Sequence, residues 1–155
     1  MGPARLHPLA RAPRRARARA ARERAHGGAR PLTELREFGL GYPGTELRQR
    51  LVEAVLAGDK TATAGLHGAF EDEPTPDVGD RFVVEDAGGT PRAIVEVTEV
   101  RVVPAAEVDL RFARDEGEGF ESVRDWHEAH ERFFERTIEA DTPIDAIRFR
   151  VVERL

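Results

Sequence analysis

The spacing of apolar residues predicts three helices. Apolar side chains recur three and four positions apart after Thr45, which can cap a helix, and Gly58 is a plausible stop, so we predict a helix over 46–57. A second helix is predicted over 107–116, where a glycine-rich turn follows. A third helix begins after Ser122. One face of this third helix carries Val123, Trp126, His130, Phe133, Phe134 and Thr137.

Shorter stretches with alternating or β-branched residues predict strands. A short Thr-rich strand follows Gly58, and residues 67–77, with four acids and two prolines, predict an exposed loop. Further strands are predicted over 81–86 and 92–103, joined by a hairpin turn at 87–90, and a last strand contains Ile147, Phe149 and Val151. The order of helix, strands, helices and strand predicts an α+β domain with an antiparallel, barrel-like sheet.

The first 30 residues differ in composition from the rest of the chain. They contain nine arginines and almost no large apolar side chains, so we predict a disordered tail over 1–30 and one domain over 31–155. Three accounts of the tail remain open: a basic RNA-binding arm, a targeting peptide, or an extension that results from a misassigned start codon. The last account, or a dispensable tail, is our preferred interpretation.

Charge and composition limit the functional classes. Residues 31–155 carry 15 Lys and Arg against 28 Asp and Glu, a net charge of −13, which argues against binding long nucleic acid through a broad positive field. No segment approaches the ~20 apolar residues of a membrane span. The chain has no cysteine, which excludes disulfides, thiolate chemistry and Cys-based zinc sites, so we expect a cytoplasmic protein with no membrane partner.

Lys60 is the only lysine beside 23 arginines, and it lies in Gly58-Asp59-Lys60-Thr61-Ala62-Thr63. A desolvated ammonium can lose its proton and act as a base, whereas a guanidinium cannot. A nearby Thr hydroxyl makes this a candidate nucleophile-activating pair. The alternative is a solvated lysine after a helix-ending glycine, in a composition where few lysines are expected.

Other side chains suit a site of this kind, and each has a structural alternative. Glu116, beside glycines at a helix end, is a candidate acid or base or part of an ordinary polar turn. Tyr42 could stack on a base or pack over the end of the barrel. Trp126 and His130 lie on an apolar helix face typical of core residues. The spacing of His127 and His130 does not match a zinc motif, so no metal is expected.

Four motifs in register resemble the ASCH (activating signal cointegrator homology) family, in particular its small bacterial stand-alone members. The similarity runs from about Phe38 to Leu155 and leaves residues 1–30 outside. It rests on Gly-x-Lys-Thr-x-Thr at 58–63, Val78-Gly79-Asp80, Phe112-Ala113-x-x-Glu116-Gly117 and Trp126-x-x-x-His130-x-x-Phe133-Phe134.

The resemblance implies a PUA-like, mostly antiparallel β-barrel flanked by helices, a fold associated with RNA and modified nucleosides. One branch of the family is similar to an amidohydrolase that removes the acetyl group from N4-acetylcytidine. Its catalytic lysine, threonine and glutamate map onto Lys60, Thr63 and Glu116. Another member behaves as a ribonuclease, and many relatives are regarded as RNA binders. The present chain is longer than the amidohydrolase branch.

The leading hypothesis is therefore hydrolysis of an acylated cytosine nucleoside without metal or cofactor. Lys60 would take the proton of Thr63, and Glu116 would protonate the leaving amine or activate water. We expect substrate contacts from Tyr42, Thr61, Trp126 and His130. The acidic body suits a single neutral nucleoside better than a long RNA. An RNA-binding module, a metal-independent ribonuclease and a binder of another small amide or nucleotide stay open, as does the oligomeric state.

Overall fold

The computed structural model describes residues 30–69 and 74–155. In these two stretches the chain forms five strands and three α-helices, with short 3₁₀ turns at Leu32–Glu34 and Ala105–Glu107. The helices are α1 Glu46–Ala57, α2 Leu110–Asp115 and α3 Val123–Phe134. The strands are β1 Arg36–Glu37, β2 Ala62–Leu66, β3 Arg81–Glu85, β4 Pro91–Pro104 and β5 Pro143–Arg154.

The strands form one sheet in the order β1-β3-β4-β5-β2, curled into a half-barrel that the helices flank. Strand β1 runs parallel to β3, and the other three pairings are antiparallel. The long β4–β5 pair runs from Ala93 opposite Arg154 to Pro104 opposite Pro143, with register shifts at 94/95 and 97/99. Such irregularities bend a strand and increase its twist, which suits a curled sheet. The α+β, PUA-like fold predicted from the sequence is confirmed.

Two clusters of buried apolar side chains divide the core along β4 and β5. The first contains Val95 and Phe149 and packs against α1, and the second contains Val103 and Ile144 and packs against α2 and α3. Strand β2 belongs to the second cluster, since Ala62, Ala64 and Leu66 all lie in it. The end of α1 and the start of β2, where Lys60 lies, therefore connect the two clusters.

A buried arginine holds the segment between β1 and α1 in place. Arg48 is 2% exposed and pairs with Glu37, and its guanidinium also donates to the carbonyls of Gly41 at 3.0 Å and Glu85 at 3.2 Å. Because a buried charge is tolerated only when it is paired and hydrogen-bonded, these contacts fix the chain around Gly41. Arg48 therefore has a structural role.

Several local predictions are confirmed and two boundaries are wrong. Helix α1 covers the predicted residues with Thr45 as its cap, and Ser122 caps α3. Helix α2 begins at Leu110, three residues later than predicted, because Asp109 caps it by accepting from the amide of Phe112. Thr137 lies beyond the end of α3.

Two further predictions fall partly or wholly outside the described residues. The tail prediction concerns residues 1–29 almost entirely, and the predicted loop over 67–77 includes residues 70–73. Within the parts of the chain that are described, no helix is long and apolar enough to cross a membrane.

Candidate active site

Lys60 lies at the turn between α1 and β2. Gly58 adopts the left-handed conformation at φ 85°, and the amides of Asp59 and Lys60 both donate to the carbonyl of Ala54. This closure of the helix turns the chain sharply, and the side chain of Lys60 is directed inward, where it is only 2% exposed. Its Nζ donates to two main-chain carbonyls, those of Ala62 at 2.9 Å and Glu116 at 3.1 Å.

The turn after α2 packs directly on the Lys60 segment. Gly117 has φ 69°, and a Cβ added there would lie 2.8 Å from both Cα and N of Lys60. Only glycine permits this approach and this backbone conformation. The amide of Thr61 also donates to the carbonyl of Asp115 at 2.8 Å. These contacts fix Lys60 and Glu116 in one constellation although they are distant in sequence.

The Glu116 carboxylate is 1% exposed and lies between two aromatic side chains of α3. Trp126 donates its indole N–H to one carboxylate oxygen, and Nε2 of His130 lies 3.5 Å from the other. Nδ1 of His130 lies 2.7 Å from the carbonyl oxygen of Trp126. Because a carbonyl oxygen only accepts, Nδ1 carries a proton and donates this hydrogen bond. The two rings stack at 4.2 Å, so each fixes the orientation of the other.

Charge interactions dominate the ionisation of this cluster. Burial alone would raise the pKa of Glu116, but the charges of His130 and Lys60 and the hydrogen bonds from His130 and Trp126 lower it overall. Burial disfavours the charged form of His130, but the Glu116 carboxylate outweighs this effect and raises the pKa of His130. Both shifts favour the charged form of each group, an imidazolium beside a carboxylate.

These groups line a cavity of about 540 Å³, within the range of small-molecule sites. Lys60, Thr63, Glu116 and His130, four of the seven residues singled out in the sequence, all line it. The Thr63 hydroxyl forms no hydrogen bond within the described part of the chain, which leaves its oxygen available to a ligand. The walls also include apolar residues from both core clusters: Leu40, Leu47, Leu51, Ala64, Phe120 and Phe134.

The other three predicted residues lie outside the cavity lining. Thr61 is exposed, and Trp126 is completely buried, where its indole N–H donates to the Glu116 carboxylate. Tyr42 stacks on Phe133 at 5.3 Å, so its ring supports a wall residue. The contacts of Trp126 and Tyr42 are those of packed side chains, which is the alternative interpretation of both residues.

The lining also contains charged residues that the sequence reasoning did not single out. Arg50 on α1, Arg132 in the last turn of α3 and Glu118 after α2 all line the cavity. Desolvation and the negative charge of Glu116 raise the pKa of Glu118, against the opposing charge of Lys60. Arg50 and Arg132 each precede an apolar helix position, but many surface arginines do so, and only tertiary structure distinguishes these two.

Glu116, Glu118 and His130 place ligand atoms within 4.8 Å of one another, and they form the one possible metal-binding group found in the described residues. Two features disfavour a cation there. A metal would compete with the His130 imidazole, which is paired with Glu116, and the positive charge of Lys60 acts on the same carboxylate. The cluster is better suited to proton transfer and to binding polar ligand atoms.

Comparison with known proteins agrees with this architecture. The sequence model of the ASCH domain matches residues 40–153. An ASCH domain from Lactobacillus crispatus JV V101 is 32% identical, with a TM-score of 0.59, over 66% of this chain and 70% of that one. Protein EF3133 from Enterococcus faecalis V583 has a TM-score of 0.71 at 24% identity over 90% of both chains, which shows the shared fold. No curated protein matches the chain significantly. With most of its described domain covered by the family match, the chain belongs to the ASCH domain family.

Proposed function

We propose that the protein is an amidohydrolase that removes an acyl group from the exocyclic amine of a nucleobase, with N4-acetylcytidine as the representative substrate. One observation carries the proposal. The only lysine of the chain is buried in the wall of a ligand-sized cavity that also exposes an unpartnered threonine hydroxyl and a buried carboxylate. Base, nucleophile and carboxylate are the groups that acyl transfer needs.

Lys60 is held in a geometry that suits a base. Its two hydrogen bonds to main-chain carbonyls fix the position of Nζ. The proposal requires the deprotonated amine, in which these bonds use both N–H groups and leave the lone pair for a third direction. In the proposed first step Lys60 takes the proton of Thr63 as Oγ1 attacks the acyl carbon. The C–N bond then breaks, and the same proton passes from Lys60 to the leaving amine of the base.

Water completes the cycle. It attacks the acyl-threonine, and a proton of the water passes through the Lys60–Glu116 cluster to Oγ1 of Thr63. The bond between the acyl carbon and Oγ1 breaks, which releases a carboxylic acid and restores the Thr63 hydroxyl. A variant of this route has Thr63 position the water for direct attack. The lowered pKa of Glu116 favours the second of its two predicted roles, activation of water, because an ionised carboxylate accepts protons. His130 keeps Glu116 ionised, and Trp126 orients it.

The test measures cytidine released from N4-acetylcytidine by the full chain, separated by chromatography. We expect turnover in the parent, and at least a ~100-fold loss in Thr63→Val and Lys60→Arg, because a guanidinium cannot act as a base at neutral pH. Thr98→Val, an exposed threonine on β4, is the matched control and should retain activity. Because a guanidinium is larger than an ammonium, urea unfolding of each variant must show a folded protein.

A second candidate function is metal-independent RNA cleavage, favoured by the presence of Lys60 and the cationic His130 in one cavity. Two nitrogen groups could assist attack by a ribose 2′-hydroxyl. No release of cytidine, together with cleavage of RNA and none of its 2′-deoxy counterpart, would replace the amidohydrolase by this ribonuclease. Binding of RNA without turnover, unchanged in Lys60→Arg, would indicate a binding module.

A further inference from the structure

The cavity differs in charge from the domain that contains it. Residues 31–155 carry a net charge of −13, from 15 Lys and Arg and 28 Asp and Glu. The lining has the opposite sign, with four basic side chains against two acidic ones: Arg50, Lys60, His130 and Arg132 against Glu116 and Glu118. In an acidic protein, a local positive site attracts an anionic ligand and is not explained by average composition.

The inner charges of the cavity already have partners, whereas the outer ones do not. His130 pairs with Glu116, and Lys60 donates to two carbonyls. Arg50 and Arg132 are exposed at the mouth, and neither forms an ion pair within the described residues. The charge of Arg50 also acts on Glu118 in the cavity lining, without an ion pair between them. The mouth therefore presents two guanidinium groups whose donors are available to a ligand.

The two arginines come from different helices that enclose the same opening. Arg50 is on α1, and Arg132 is in the last turn of α3. A guanidinium presents a planar fork of N–H donors that matches the oxygens of a phosphate. Inside the mouth, Phe120 and Phe133 provide aromatic surface suited to a base. These side chains favour a ligand whose phosphate lies at the mouth and whose base packs against the apolar wall.

We infer that the ligand of this cavity is a phosphorylated nucleoside, whose phosphate is held at the mouth by Arg50 and Arg132. The identity of its base rests on the proposed function. The assignment of a phosphate does not, because it rests only on the two arginines at the mouth of the cavity. The same chemistry occurs in a free mononucleotide and at the phosphorylated end of an RNA chain. The net charge of −13 over residues 31–155 favours the free mononucleotide, because a longer chain would extend over a predominantly acidic domain.

Binding to the full chain, measured by titration calorimetry, tests the inference. The probes are cytidine, cytidine 5′-monophosphate, the other three nucleoside 5′-monophosphates with their nucleosides, and a 5′-phosphorylated trinucleotide. We expect at least one monophosphate to bind about tenfold or more tightly than its nucleoside, the effect of charge-assisted hydrogen bonds to phosphate. Raising the salt concentration should reduce the ratio of monophosphate affinity to nucleoside affinity, because salt screens the attraction between phosphate and guanidinium.

Matched variants locate the effect. Arg50→Gln and Arg132→Gln should each weaken monophosphate binding roughly fivefold and leave nucleoside binding within about twofold. Arg124→Gln, on the same helix as Arg132 but outside the lining and paired with Glu128, should change neither. Glu118→Gln should strengthen monophosphate binding, because it removes a negative charge from the lining.

Each outcome decides a separate question. Equal binding of nucleoside and monophosphate, a preference that survives both arginine variants, or no binding of any probe would overturn the inference. A trinucleotide that binds more tightly than every mononucleotide would assign the phosphate to an RNA end. Monophosphate preference without turnover would disprove the hydrolase and leave the inference standing. Turnover of N4-acetylcytidine and of its 5′-monophosphate with equal kcat/KM would support the hydrolase and overturn the inference.

Discussion

Two histidine–carboxylate pairs of the domain, His130–Glu116 and His67–Asp145, lie in very different surroundings. In the cavity, the side chains of His130 and Glu116 are 10% and 1% exposed, and the pair joins α3 to the turn after α2. On the opposite end of β2, His67 lies 2.7 Å from Asp145 on β5, and its side chain is 42% exposed. Thr75 donates to the second oxygen of Asp145 at 2.9 Å, so this pair ties a loop to the sheet.

The difference shows what burial adds to the same two functional groups. Water screens electrostatic interactions of the exposed His67, and exposed ion pairs contribute little to stability. His130 and Glu116 are surrounded by Trp126 and the cavity wall, where charges interact strongly and an unpaired charge is costly. The buried pair therefore holds charges in defined ionisation states at the site, whereas the exposed pair provides a local structural link.

Removing the buried imidazole should have the largest effect. His130→Gln leaves the Glu116 carboxylate without its cationic partner in the interior, and we expect the free energy of unfolding to fall by about 3 kcal/mol. Urea unfolding at pH 6, followed by circular dichroism, measures this loss. A loss below about 1 kcal/mol would show that the pair is no more coupled than a surface pair.

The loss of unfolding free energy in His130→Gln should depend on pH, which further distinguishes the buried pair from the exposed one. His130 has a pKa raised above its ordinary 6.5, so its stabilisation is full below pH 6.5 and is lost as pH rises through the folded-state value. Glu116 has a pKa lowered below its ordinary 4.5, so its stabilisation is full above pH 4.5 and is lost as pH falls through its folded-state value.

The difference in unfolding free energy between wild type and His130→Gln should therefore be largest between pH 4.5 and 6.5 and shrink on the alkaline side. Urea titrations at intervals from pH 5 to 9 measure it. Repeating them in a Glu118→Gln background removes the third titrating group of the cluster. A difference that stays constant over this range would contradict an ion pair and indicate that His130 contributes only packing.

Much of the fold follows from local sequence. Thr45 and Ser122 cap helices as predicted, and the alternation around Phe149 marks the last strand. The start of α2 was predicted too early, because the 3₁₀ turn before Asp109 resembles a helix in its spacing. Capping and alternation involve neighbours in sequence, so they can be detected without tertiary structure.

The site was predictable only in part for the same reason. Motif resemblance selected Lys60, Thr63 and Glu116, which all line the cavity. Trp126 and His130, the partners of Glu116, lie ten and fourteen positions later on another helix. Their spacing on one face of that helix is equally typical of core packing. Arg50 and Arg132 have no sequence signal that separates them from other surface arginines, because only the packing of α1 and α3 brings them to one opening.

A smaller effect is expected from the indole donor. Trp126→Phe keeps most of the buried ring but removes the N–H that Glu116 accepts, so we expect a loss of about 1–2 kcal/mol in unfolding free energy. Combined with His130→Gln, the two losses should not add, because both act on one carboxylate. Unfolding curves of the two single variants and the double variant measure this coupling. Additive losses would show that Trp126 acts through packing alone.

The smallest effect is expected at the exposed pair. His67→Gln retains a side chain that can donate to Asp145, whose other oxygen is still bound by Thr75, so we expect a loss below about 1 kcal/mol. Turnover should be unchanged, because His67 does not line the cavity. The same urea and chromatography assays apply. If His67→Gln destabilised the protein as much as His130→Gln, burial would not be what separates the two pairs, and the ionised state of Glu116 would need another cause.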